Sequence, residues 1–293
     1  MIDEHISIED LYHLLITCKK LSSRLAPRLQ DRGMQVRGGL TPIQRAAMRD
    51  LPSLAELAIS RGASVNEYCD DGGGSGCTPL HLAAKNDSTR VIRVLVKHGA
   101  MVDPLDRYPR TPLALAAFHH RPRALSVLIE LGAVIPLACT HPWIQLPTHL
   151  SAANGDLKCV RAFVRAGFDF NSRGFDGGTV LHSAAHYDVK MVAYLLRQKR
   201  GREIIDTQDF GGFTPLHIAA TSDTMAEEKV RLLLRYGANP KLKNAAGRTP
   251  ADTVSVLRND WAGEVKDKAG MEKLTEMDFV RDVLLEAGAG AAG

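Results

Sequence analysis

Long apolar runs, paired cysteines and aromatic side chains are all scarce in this sequence of 293 residues. No stretch approaches the run of about 18 apolar residues that a membrane-spanning helix requires, so we expect no membrane segment. The five cysteines are scattered and form no Cys-x-x-Cys pair, which argues against a disulfide framework. Because aromatics make up only 5% of the chain, the core is expected to consist mainly of aliphatic side chains.

A run of basic residues that could follow a phosphate backbone is also missing. The 37 Lys and Arg are nearly balanced by 33 Asp and Glu, for a formal charge of +4, and we therefore expect no nucleic-acid partner. Residues 1–10 are acidic and mixed, unlike a secretory signal peptide. These features predict an intracellular protein, located in the cytoplasm or the nucleus.

One short pattern recurs along the chain. Residues 78–84 read Thr-Pro-Leu-His-Leu-Ala-Ala, and residues 214–220 read Thr-Pro-Leu-His-Ile-Ala-Ala. Threonine is a good helix N-cap and proline fits the first helical position, so each copy predicts the start of a short helix. Copies of varying quality begin near residues 41, 78, 111, 146, 179, 214 and 249, at intervals of 33 to 37 residues.

A second apolar segment with helical spacing follows each of the better copies, for example Val230, Leu232, Leu233 and Leu234. Five of these segments run into a glycine at one repeat position, where the left-handed conformation that ends a helix is predicted. These glycines are Gly62, Gly99, Gly132, Gly167 and Gly237.

The Thr-Pro-Leu-His-x-Ala signature and its period resemble the ankyrin repeat. The resemblance implies an all-α solenoid over residues 40–293, with about six helix-turn-helix units and a divergent C-terminal capping unit. It also implies a monomeric scaffold that binds a protein partner and is not an enzyme. In such units the signature histidines, here His81, His149, His182 and His217, hydrogen-bond the backbone between repeats.

Two stretches depart from the repeat. The fifth unit has extra residues around 199–203, which we expect in a loop because solenoids tolerate insertions there. The last unit loses the pattern after Asp252, carries a charged insert at about 258–276, and recovers an amphipathic segment before a tail at 287–293. We expect that tail to be flexible.

The first 39 residues do not follow the repeat pattern, and their sequence predicts a short helical segment. Asp10, Leu11, Leu14, Cys18 and several spaced leucines up to Leu29 resemble the second half of an F-box, although its opening Leu-Pro-x-Glu helix is missing. F-boxes precede ankyrin arrays in many fungal proteins. Two interpretations stay open: a helix that caps the first repeat, or a segment (residues 8–32) that docks the adaptor subunit of an SCF-type ubiquitin ligase.

No pattern of catalytic residues, cofactor loop or metal ligands is found. The signature histidines recur one repeat apart, too far for shared ligation by bonds of about 2 Å. We expect instead a partner-binding surface at the ends of the first helices and at the hairpin tips, where large aromatics and histidines recur. The predicted partner-binding residues are Tyr108, Phe118, His119, Trp143, His186, Tyr187 and Phe210.

Overall fold

The structure is a computed structural model that describes residues 41–68, 76–137, 146–262 and 268–290. Within these ranges every regular element is an α-helix. The helices belong to two compact units, divided after Ile135. The predicted N-terminal segment, residues 1–39, lies outside the described residues, so neither interpretation of it is tested.

The described part of unit 1, residues 41–68 and 76–135, contains three helix pairs, each made of an inner helix that follows the signature threonine and an outer helix. The inner helices pack side by side, and so do the outer helices. In chain order these are α1 (Pro42–Arg49), α2 (Pro52–Ser60), α3 (Pro79–Lys85), α4 (Thr89–Lys97), α5 (Pro112–Phe118) and α6 (Pro122–Glu130).

Unit 2 continues the same plan. Its inner helices α7, α9, α12 and α14 pack in sequence, and the last helix, α15, packs on α13 and α14. The elements are α7 (Pro147–Ala153), α8 (Leu157–Arg165), α9 (Val180–Tyr187), α10 (Val189–Arg197), α11 (Lys199–Glu203), α12 (Pro215–Ala220), α13 (Ala226–Arg235), α14 (Pro250–Ala262) and α15 (Lys268–Gly290).

The inner helices begin where the signature predicts. Thr111 has an extended backbone, and its hydroxyl accepts a hydrogen bond from the N–H of Ala114 at 3.2 Å. Five of the copies end in an alanine pair, and each pair is buried, as Ala83 and Ala84 are in α3. Such small side chains let neighbouring helices approach closely, and the leucines between them fill the remaining core.

The outer helices end at the predicted glycines. Gly62, Gly99, Gly132, Gly167 and Gly237 all have a left-handed backbone, with φ between +80° and +95°. Each glycine N–H donates to a carbonyl of the last turn, for example Gly237 to Leu234 at 2.9 Å. The prediction of the helix ends is therefore confirmed.

Two expectations about the insertions were wrong. Residues 199–203 form the short helix α11 instead of a loop, because Gly201 has no side chain and can lie against the carbonyl of Leu195. Ile204 and Ile205, which follow it, are buried. The tail at 287–293 was expected to be flexible, but its start is helical, since α15 runs from Lys268 to Gly290. The described parts of the charged segment are helical too, because α14 extends to Ala262.

Replacing Gly237 by valine should lower the free energy of unfolding by about 1–2 kcal/mol. A Cβ at this position would meet no atom within 4 Å, so the penalty comes from the backbone conformation at φ +95° and not from a clash. Asparagine tolerates such positions better, and Gly237→Asn should cost less. Urea unfolding followed by circular dichroism measures both.

Gly288 provides the control for this comparison. It also has open space around a Cβ, but it lies inside α15 without a positive φ. Gly288→Val should leave the urea midpoint nearly unchanged. Equal effects of valine at the two glycines would contradict the assignment of Gly237 as a helix-ending residue.

Candidate functional site: inner turns and hairpin tips

We call the segment that joins an inner helix to its outer helix the inner turn. In unit 1 the inner turns are residues 48–50, 85–87 and 118–120, which occupy the same three positions of successive repeats. The last residue of each turn has a left-handed backbone, with φ of +52° at Asp50, +59° at Asp87 and +57° at His120. The shared geometry gives unit 1 three turns in equivalent positions with different side chains.

Two of these turns are fixed by the following repeat. The carboxylate of Asp50 accepts the N–H groups of Arg90 and Val91, at 3.0 and 3.1 Å, and Asp87 accepts the N–H of Ala124 at 2.8 Å. Each aspartate thus satisfies unpaired donors at the start of an outer helix one repeat away, where a negative charge also complements the helix dipole.

Arginines of the following repeat also hydrogen-bond these two inner turns. Arg90 donates from Nη2 to the Asp50 carbonyl and pairs through Nε with its carboxylate, both at 2.9 Å. Arg121 donates from Nε to the carbonyl of Lys85 at 2.9 Å. These bonds satisfy carbonyls at the ends of inner helices, which have no partner within the helix. These contacts between repeats were not predicted from the sequence, although Asp50 and Asp87 share one repeat position and Arg90 and Arg123 share another.

The predicted site residues of unit 1 lie in two places. Phe118 is 49% exposed at the inner turn, and its ring meets that of His119 edge to face with centroids 5.1 Å apart. Tyr108 lies before α5, at a hairpin tip, with the Arg110 guanidinium 5.0 Å from its ring centroid. Because α5 separates the tip from the turn by about 10 Å, these residues form two spots and not one site.

The same division holds in unit 2. His186 and Tyr187 pack against each other at the end of α9, with centroids 4.3 Å apart, and Tyr187 is 57% exposed. Phe210 lies at a tip, where its N–H donates to the Asp176 carbonyl and its ring covers Gly177, yet it remains 80% exposed. Trp143 lies outside the described residues.

A buried lysine supports the His186–Tyr187 turn. Lys229 lies on α13, fully buried, and its Nζ donates to the carbonyl of His186 at 3.1 Å. Burial lowers the pKa of Lys229 to about 8, while the nearby carboxylates of Asp188 and Asp223, among others, act in the opposite direction. The corresponding repeat positions hold buried apolar side chains, namely Val91, Ala124 and Cys159. The sequence signal for this contact was a lysine at a repeat position that is apolar in the other repeats named.

The signature histidines are structural. The Nδ1 of His81 accepts the N–H of Thr78 at 3.1 Å, so Nε2 carries the proton and donates to the Arg110 carbonyl of the next repeat at 2.9 Å. The equivalent Nε2 contacts are His149 to Gly178 (3.2 Å), His182 to Phe213 (3.0 Å) and His217 to Arg248 (3.1 Å). Burial lowers the pKa of all four imidazoles, that of His149 to about 4.

Within the described ranges, no group of three or more His, Cys, Asp or Glu side chains could hold a metal ion. In the same part of the chain, no helix has both the length and the apolar character needed to cross a membrane.

Comparison with known proteins agrees with the repeat geometry. Residues 43–138 and 148–244 match the family described as ankyrin repeats (3 copies). The chain belongs to the ankyrin-repeat family. The ankyrin repeat domain of human ASB11 has a TM-score of 0.59 at 25% identity and covers 73% of this chain and 91% of its own. That of Bcl-3, described as a unique member of the IkappaB protein family, has a TM-score of 0.61 at 25% identity and covers 76% and 100%. The predicted all-α ankyrin-repeat solenoid is confirmed.

Curated relatives are similar to this chain over a small part of their own length. The human transient receptor potential cation channel subfamily A member 1 is 28% identical over 208 residues, which are 68% of this chain and 18% of the channel. The chicken nuclear factor NF-kappa-B p105 subunit is 31% identical over 180 residues, 57% of this chain and 17% of that protein. The ankyrin-repeat chain thus matches less than a fifth of the length of either relative.

The lowered histidine pKa values predict a loss of stability in mild acid. Folding keeps His149 neutral, so the unfolded chain binds protons first as the pH falls through the ordinary pKa of 6.5. The stabilisation is complete above pH 6.5 and is lost as the pH falls towards about 4. At about 1.4 kcal/mol per pKa unit, His149 alone accounts for about 3 kcal/mol.

Urea unfolding at a series of pH values between 7 and 4 measures this loss. His149→Asn should be less stable at pH 7 and should lose less stability on acidification than the unsubstituted protein. His98→Asn, at an exposed position, should keep the full pH dependence. If His149→Asn keeps it too, the hydrogen-bonded neutral imidazole is not its source.

Proposed function

We propose that this ankyrin-repeat protein is an interaction scaffold that binds a protein partner through its inner turns and hairpin tips. Its function in this proposal is binding and not catalysis. The relatives differ widely in what their names describe, from a cation channel to a nuclear factor subunit, and this chain matches less than a fifth of either. The identity of the partner therefore does not follow from them.

The observation that carries the proposal is the exposure of large aromatic side chains on fixed backbone. Phe118 and Tyr187 each end an inner helix and leave about half of their surface in water. The turn that holds Tyr187 is tied by Lys229, which donates to the His186 carbonyl. The turn after Phe118 is closed by the N–H groups of His119 and His120, which donate to carbonyls of α5. Exposed aromatics on a rigid support lose little conformational entropy on binding and are typical of interface hot spots.

Affinity capture with the tagged chain, followed by quantitative mass spectrometry, tests the proposal. Phe118→Ala and Tyr187→Ala, singly and together, should leave the helix content intact and remove the same specific partner from the captured set. A hot-spot loss of about 2 kcal/mol corresponds to about 30-fold weaker binding of that partner once it is purified.

The control is Arg165→Glu, an exposed position on the outer helix α8. This charge reversal should leave the captured set unchanged. Loss of the partner with Arg165→Glu, while both aromatic variants retain it, would contradict binding at the inner turns.

The second candidate function is that of a substrate receptor in an SCF-type ubiquitin ligase. It is supported by the F-box-like pattern between Asp10 and Leu29, with residues 8–32 as the segment that docks the adaptor subunit. This role requires an intracellular location, in the cytoplasm or nucleus. The alternative, a helical cap, predicts that this segment stabilises the first repeat without binding any adaptor.

Deletion of residues 1–39 separates these two roles. As a receptor, the full chain binds purified adaptor subunit and the deletion variant does not. As a cap, neither protein binds the adaptor, and the deletion lowers the free energy of unfolding. Absence of adaptor binding by the full chain would reject the receptor role.

A further inference from the structure

The inner turns of unit 1 and the residues that follow them carry an excess of positive charge. Residues 48–50, 85–90 and 118–123 contain five Lys or Arg and two Asp. Both aspartates cap outer helices and so already have partners. The five cations are Arg49, Lys85, Arg90, Arg121 and Arg123.

Several of these cations face water. Arg123 is the most open, with 84% of its side chain exposed and its Nε 4.0 Å from the Asp87 carboxylate. Arg121 is exposed as well and is held in place by its bond to the Lys85 carbonyl. The pKa of His119, between Phe118 and these arginines, is lowered first by burial and then by the charges of Lys85 and Arg121. The turn containing Phe118 is therefore at positive potential.

An apolar side chain lies at each end of this series of three inner turns. Met48, Lys85 and Phe118 occupy the same position of three successive repeats, and Met48 and Phe118 are both exposed. Neighbouring inner helices are in contact, and packed helices lie about 8–10 Å apart. Met48 and Phe118 are thus about 20 Å apart, a distance that about six residues of extended chain can span.

From this arrangement we infer that the inner turns of unit 1 bind an extended acidic segment of a partner protein, with apolar residues flanking the acidic ones. The apolar residues would contact Met48 and Phe118, and the carboxylates between them would face Lys85, Arg121 and Arg123. This inference rests on the proposed scaffold function and adds the chemistry of the partner.

A peptide fits this surface better than a nucleic acid does. The positive charge extends over about two repeats and ends at Met48. The side chain of Met48 has no aromatic ring on which a base could stack. Phosphate recognition needs cations that follow a backbone over a longer distance, together with stacking platforms. Carboxylates flanked on both sides by apolar side chains match the observed order of apolar, basic and aromatic residues.

Selection from a phage-displayed library of random twelve-residue peptides on the immobilised full chain tests the inference. The enriched peptides should contain two or more Asp or Glu between apolar residues spaced about five or six positions apart. A synthetic peptide of the enriched sequence should then bind in fluorescence anisotropy, and more weakly as the salt concentration rises.

Variants locate the binding site. Phe118→Ala and the double variant Arg121→Glu with Arg123→Glu should each weaken the peptide by at least 10-fold. Arg123→Glu alone, at the most exposed position, should weaken binding of the peptide several-fold. This single variant still tests the site if the double variant does not fold. The matched control is Arg61→Glu with Lys97→Glu, an equal change in charge at the outer-helix ends of the same unit, which should have no effect.

The outcomes separate this inference from the proposed function. Enriched peptides without an acidic bias, or acidic peptides that bind the double variant normally, would overturn the inference and leave the scaffold function standing. Tighter binding of a single-stranded DNA oligonucleotide at the same residues would overturn it in favour of phosphate recognition. If no peptide is enriched and affinity capture also finds no partner that depends on Phe118 or Tyr187, both proposals fail.

Discussion

In four repeats of this protein a buried imidazole joins the repeat to the next one along the chain. His182, for example, accepts the backbone N–H of Thr179 within its own repeat and donates to the carbonyl of Phe213 in the next. Only the neutral ring can make both bonds at once, because protonation of Nδ1 would remove the acceptor for the Thr179 N–H, and burial favours the neutral ring. A repeat cannot bury its apolar face alone, so cohesion depends on such contacts between neighbours and on the packed alanines beside them.

Because the core positions hold the repeats together, the side chains of the inner turns can differ from one repeat to the next. The core positions repeat closely, whereas the inner turns of unit 1, together with the residues that follow them, carry five basic and two acidic side chains. In unit 2 the equivalent stretches, residues 153–158, 186–190 and 221–228, carry five acidic and two basic ones. The two units therefore present different chemistry on the same backbone geometry, which is how one fold can serve different partners.

Local rules were sufficient to predict the inner-helix starts and the glycines that end the outer helices, because each depends on a few adjacent residues. They were not sufficient for Lys229, whose partner is the His186 carbonyl 43 residues away. The tie between Asp50 and Arg90, 40 residues apart, was missed for the same reason. The amphipathic segment near the C-terminus was predicted, but its continuation as helix α15 to Gly290, in a segment that packs on α13 and α14, was not.

The central claim is that a partner binds at the inner turns, and site-specific photocrosslinking tests it most directly. A benzophenone amino acid would be placed at Phe118, at Tyr187 and, on the outer helix α8, at Arg165, and each protein would be irradiated with the captured partner. The account predicts a crosslinked product from position 118 or 187 and none from position 165. A crosslink from position 165 alone would contradict it.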